Sequence, residues 1–186
     1  MSESGLMAQP FPAPPGVVGC ALDELRLVAG ATDETEHEAR RVALLERPWD
    51  PPACGPELRR NIYVWLDQVV AWINEEYTWR TEKVIPTCWD LHPHIVHELA
   101  VVACLRCEAT YSRTPVAMEE WHRSTLPAFL IRIVDRIGDT GCPPGRHQAS
   151  PGMGRNAIYR TQTESAKRRA RRWSDSEARE MPAKLG

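Results

Sequence analysis

From Glu57 onward the apolar residues recur at steps of three and four. Ile62, Trp65, Leu66, Val69, Trp72, Ile73 and Tyr77 mark one face of an amphipathic helix. It opens behind Pro56, whose missing N–H is not needed in a first turn. Pro93 starts a second helix in the same way, running to about Tyr111. Its stripe is Ile95 or Val96, Leu99, Val102, Ala103, and then Leu105 or Cys107. A third run begins at Thr114-Pro115, with Thr114 placed as N-cap. Met118, Trp121, Phe129, Leu130, Ile133, Val134 and Ile137 give its apolar face. Pro127 lies inside that run and should kink or split it, and Gly138 is a natural stop. No stretch sustains the period-two alternation of a half-buried strand. The spacing predicts an all-α body over residues 57–148, a small three- or four-helix bundle with disordered N- and C-terminal arms.

The flanks read differently. Residues 1–32 form a Pro-rich arm (Gln9-Pro-Phe-Pro-Ala-Pro-Pro-Gly16) predicted to be disordered or locally polyproline-like. In residues 33–56, Asp33 can cap a short acidic helix to about Arg47, after which Pro48, Pro51, Pro52 and Pro56 make a linker. Residues 149–186 have too few apolar positions to dock firmly and are predicted to be a disordered basic tail. Charge follows the same division. Residues 1–56 carry nine acids against four bases, and residues 155–186 nine bases against four acids, so the head is acidic and the tail basic.

No apolar run approaches the roughly 20 residues of a membrane-spanning helix, which points away from a membrane. The first residues lack the basic and apolar regions of a signal peptide, so a cytoplasmic location is expected. In a reducing compartment the six cysteines are then thiols or metal ligands rather than disulfides.

Cys104-Leu-Arg-Cys107 has a formal Cys-x-x-Cys spacing but falls in mid-helix, where two small residues filling a helix contact are the simpler reading. Cys142-Pro-Pro-Gly-Arg-His147 is better placed, because a Pro-Gly turn can bring its Cys and His together. Zinc needs two ligands more. His92, His122 and Cys88 are the candidates: His122 would join Cys142 and His147 together with His92 or Cys88, and the set assigned is Cys142, His147, His122 and His92. His92, His94 and His97 also make a His-rich first turn. No phosphate loop, zinc-protease helix or nucleophile elbow is present, so catalytic residues are not assigned. The segment Lys167, Arg168, Arg169, Arg171, Arg172 and Trp173 could neutralise phosphates and stack on a base, which makes nucleic acid a candidate partner of the tail.

Trp89-x-x-His92-Pro93, Glu98-Leu99, Trp121-His122 and the closing Cys142 and His147 together resemble an uncharacterised domain family of actinobacteria, their plasmids and their phages. The similarity covers roughly residues 60–148. It implies a mobile-element or actinobacterial setting and brings no established activity. It also implies that Trp89, His92, Trp121, His122, Cys142 and His147 form one cluster, with Trp89 and Trp121 as its structural members. The function expected is that of a non-enzymatic accessory or adaptor protein with an unidentified protein partner and a structural zinc. The alternatives are a nucleic-acid-binding protein using the basic tail and, last, a metal-dependent enzyme.

Overall fold

A computed structural model describes residues 8–29, 40, 42–78, 80–138, 142, 143 and 145–149 of the chain. It is all-α: α1 Gly16–Ala29, α2 Pro56–Glu76, α3 Pro93–Tyr111, α4 Val116–Glu120 and α5 Leu126–Ile137, with no strand among the described residues. Three short 3-10 turns, Pro51–Ala53, Thr81–Lys83 and Trp89–Leu91, punctuate the connections.

Both long helices start as the sequence predicts, with proline in the first turn behind Gly55 and His92. On α2 the buried residues are Leu58, Ile62, Trp65, Leu66, Val69, Val70, Trp72 and Ile73, at the steps of three and four that the sequence shows. The buried face of α3 is much wider, from Ile95 and Val96 through Leu99, Ala100, Val102, Ala103 and Cys104 to Cys107. Its width follows from its position, since α2, α4 and α5 all pack on it. Small side chains at Ala100, Ala103 and Cys104 suit such close packing.

The expected break at Pro127 is a change of helix type. Residues Trp121–Thr125 form a π-helical turn between α4 and α5. Pro127 cannot donate to the carbonyl four residues back and its ring crowds it, and the wider turn relieves both. Trp121 points inward here, and its indole N–H donates to the Val102 carbonyl at 2.9 Å. Gly138 ends α5 with φ 87°, a conformation that suits glycine, and its N–H donates to Val134. At the other end Thr114 is not the cap. Helix α4 starts behind Pro115 without a side-chain capping bond.

Two expectations about the flanks are corrected. Of the N-terminal arm, residues 8–29 are packed against the body. Backbone carbonyls of the Pro-rich segment supply the reason. An extended Pro-rich segment has acceptors with no ladder to spend them on, and buried indoles need acceptors. Trp65 and Trp72, two helical turns apart on α2, donate to the carbonyls of Pro12 at 3.0 Å and Gln9 at 2.9 Å. Those carbonyls are one polyproline repeat apart. Phe11 turns its ring edge onto Trp65, Trp72 and Trp121, with centroids 6.4, 5.1 and 6.4 Å away. Helix α1 then buries Val18 and Leu22 and is tied to α3 by Arg26–Glu108 at 2.8 Å.

The Pro-rich linker is likewise part of the body. Pro51 and Cys54 are buried. Arg59 of α2 donates to the carbonyls of Pro51, Pro52 and Cys54 at 3.1, 3.0 and 2.6 Å. The acidic helix expected from Asp33 lies largely outside the described residues, as does nearly all of the basic tail.

Candidate metal centre

The connection between α2 and α3 is held at two points. Asn74 makes a two-way amide clamp on Ile85: its Nδ2 donates to the Ile85 carbonyl at 3.0 Å and its Oδ1 accepts the Ile85 N–H at 2.9 Å. Trp89 is buried, stacks on Tyr63 with centroids 5.6 Å apart, and donates its indole N–H to Asp67 at 2.8 Å. These bonds to α2 fix the 3-10 turn Trp89–Leu91, which has Cys88 before it and His92 after it.

His92 is also the residue behind which α3 begins, yet its side chain makes no capping bond. Its ring instead meets two thiols. Nε2 lies 3.5 Å from Cys88 Sγ and 3.2 Å from Cys142 Sγ. Cys142 arrives from the loop behind Gly138. The loop then turns at Pro143–Arg146, where the Arg146 N–H donates to the Pro143 carbonyl at 2.9 Å. Gly145, the third residue of this turn, sits at φ 71°, a backbone conformation that suits glycine. The turn brings His147 back over the site, its ring centroid 4.7 Å from that of His92.

Cys88, His92, Cys142 and His147 thus offer one ligand atom each, all within 4.8 Å of one another. In a tetrahedral site with Zn–S of about 2.3 Å and Zn–N of about 2.0–2.1 Å, neighbouring ligand atoms stand roughly 3.3–3.8 Å apart. The two contacts of His92 Nε2 fall at or just below that edge length. The group could therefore bind a metal with little rearrangement.

The electrostatics agree. Burial pushes the Cys88 thiol up, and its hydrogen bond and proximity to Cys142 push it further. Burial lowers His92, and the facing His147 and His94 lower it more. The Cys88 thiol and the His92 imidazole thus both resist charge when alone, and a divalent cation favours thiolate and neutral imidazole as its ligands. His92 is 5 % exposed and His147 is exposed, so the cluster runs from the core edge to the surface.

Three residues of the expected set, Cys142, His147 and His92, are brought together. His122 is not with them, and Cys88 stands in its place. His122 is exposed on the π turn, where its Nδ1 is hydrogen-bonded to the Tyr77 hydroxyl at 3.1 Å and its ring stacks on Tyr77. The single cluster implied by the resemblance is two. Trp121 and His122 join Trp72, Tyr77 and Phe11, whereas Trp89 sits with Tyr63 and Asp67 below the Cys/His group.

His94 faces His92 at 5.7 Å rather than His97, which is exposed. Cys104 and Cys107 are buried in the core, where desolvation pushes both thiols up, Cys107 to about 11. The Lys167–Trp173 segment lies outside the described residues.

Sequence reasoning did not identify Asn74, Asp67 or Tyr63 as supports of the site, and nothing local marks them. Cys88 carries a signal: it precedes His92 by four residues across a single turn. No helix among the described residues is long and apolar enough to cross a membrane. No protein-family model, curated protein or solved structure matches the chain.

Proposed function

We propose that the protein is a non-enzymatic adaptor whose helical body is stapled by one zinc ion on Cys88, His92, Cys142 and His147. The observation that carries this reading is the convergence of the four ligand atoms within 4.8 Å. Two thiolates and two imidazoles suit zinc, whereas calcium and magnesium ask for oxygen ligands. Four protein ligands fill a tetrahedral shell, so no position is left for water or substrate. That supports a structural role over a catalytic one.

The ion would tie the loop behind α5 to the first turn of α3 and to the segment that Asn74 and Trp89 pin on α2. A body closed in this way acts through surfaces and flanking segments, and here the first and last parts of the chain carry opposite charge. The setting in a phage or plasmid rests on the sequence resemblance.

Metal analysis of full-length protein tests the reading. About one zinc per chain is expected, falling below roughly 0.2 in Cys88→Ser and Cys142→Ser while helical circular dichroism persists. Wild-type protein that keeps less than about a tenth of a zinc per chain, even after dialysis against equimolar zinc, would overturn it.

A further inference from the structure

On the far side of α3's C-terminal half lies a cavity of about 380 Å³. Its walls are the Pro10–Pro14 strap, helix α1 at Leu22, Asp23 and Arg26, and the end of α3 at Arg106, Thr110 and Tyr111. That volume falls in the range of small-molecule sites, roughly 300–1,000 Å³.

The two arginines on its wall are in opposite states. Arg26 is spent: it pairs with Asp23 at 2.5 Å and Glu108 at 2.8 Å, and its guanidinium lies 3.8 Å from the centroid of Tyr111. Arg106 is not. Half-buried, it has no carboxylate partner among the described residues, and its Nε is sealed from solvent without an acceptor. Among the described residues its one hydrogen bond to another side chain joins Nη1 to Thr110 Oγ1 at 2.9 Å. The guanidinium faces the rings of Phe11 and Trp121, 5.2 and 5.7 Å from their centroids. Cation–π contact offsets part of the cost of drying that charge, and an anion would offset more.

We propose that this cavity binds a small monocarboxylate with an apolar or aromatic body, its carboxylate on Arg106. A planar guanidinium matches a carboxylate through two parallel hydrogen bonds. The proline rings, Phe11, Leu22 and Tyr111 give apolar walls for the remainder of the ligand. Phosphate fits less well, because one uncommitted cation beside Asp23 cannot compensate a dianion. The strap lies over the ligand, so binding also holds Phe11 against Trp65, Trp72 and Trp121. Tryptophan emission therefore reports it directly.

The test is a fluorescence titration of the full-length protein with benzoate, phenylacetate and hexanoate, alongside benzamide and inorganic phosphate. At least one carboxylate saturates with a change in tryptophan emission, and benzamide binds about tenfold or more weakly than benzoate. Phosphate does not saturate. Arg106→Met weakens the carboxylate about tenfold or more, and Arg106→Lys, which keeps the charge and loses the fork, falls between. The proposal is overturned if no carboxylate saturates by about 10 mM, since that leaves Kd above the millimolar range. Benzamide binding as tightly as benzoate overturns it too, and so does unchanged affinity in both variants. If Arg106→Met does not fold, the acid–amide comparison in the wild-type protein still decides.

Discussion

Cys104 and Cys107 stand three residues apart on one helix and serve packing. Cys88 and Cys142 come from distant parts of the chain and meet at His92. Burial disfavours the charged form of Cys88 as it does that of Cys104 and Cys107, but their surroundings differ. Around Cys104 and Cys107 lie the apolar residues of the core, and among the described residues neither belongs to a ligand cluster. Around Cys88 and Cys142 lie two imidazoles at ligand distance, that of His92 at the start of α3 and that of His147 on a loop with a glycine turn. Spacing on one helix aligns two side chains, whereas a metal site needs ligands approaching from different directions. Two separate backbone segments, one carrying Cys88 and His92 and the other Cys142 and His147, supply that here and a single helix cannot.

The largest expected effect comes from removing the proposed zinc. Zinc bound at about a thousand times its Kd adds roughly 4 kcal/mol, so a strong chelator lowers the thermal midpoint by on the order of 10 °C. Adding chelator to Cys142→Ser should produce no further shift. Asn74→Ala comes next. It leaves the Ile85 N–H and carbonyl without the clamp and costs about 2–3 kcal/mol. Because Ile85 precedes Cys88 on the same pinned segment, zinc affinity in a competition titration falls about tenfold with it.

Cys104→Ala/Cys107→Ala lies lower, at about 1–2 kcal/mol of lost packing, with zinc content unchanged. This pair also sets an alkaline limit. The Cys107 thiol is held up to about 11, against its ordinary value of 9.0. The unfolded chain loses that proton near 9.0 and the folded chain keeps it. The contribution of the neutral thiol to stability is therefore whole below pH 9 and lost as pH rises to about 11. Urea midpoints across that window should fall less steeply in the double variant than in the parent. Smallest of all is His122→Gln. It should leave zinc content unchanged and shift stability by less than about 1 kcal/mol, because His122 is exposed beside Tyr77.

Much of the bundle was legible because its long helices bury stripes at steps of three and four. Pro56, Pro93 and Gly138 mark their ends in the sequence. The N-terminal segment was not. Its composition reads as disorder, and what holds it is a pair of indole N–H groups more than fifty residues away. Composition describes a segment alone, and an acceptor-rich proline run becomes structure only when donors face it.

The candidate site was legible in part for a related reason. Cys142 and His147 share a turn with a visible glycine, and His92 stands at a visible helix start. Choosing between Cys88 and His122 required knowing where the π turn places His122. That depends on how the helix run relaxes around Pro127. Asn74 and Asp67 support the site from beside the main apolar stripe of α2, and polar residues at such positions look alike in sequence.

Zinc K-edge X-ray absorption on the purified protein tests the central claim most directly. The account predicts two sulfur neighbours at about 2.3 Å and two imidazole nitrogens at about 2.0–2.1 Å, with no bound water. A shell of nitrogen and oxygen alone would contradict it, as would four sulfurs or an ion removed by simple gel filtration.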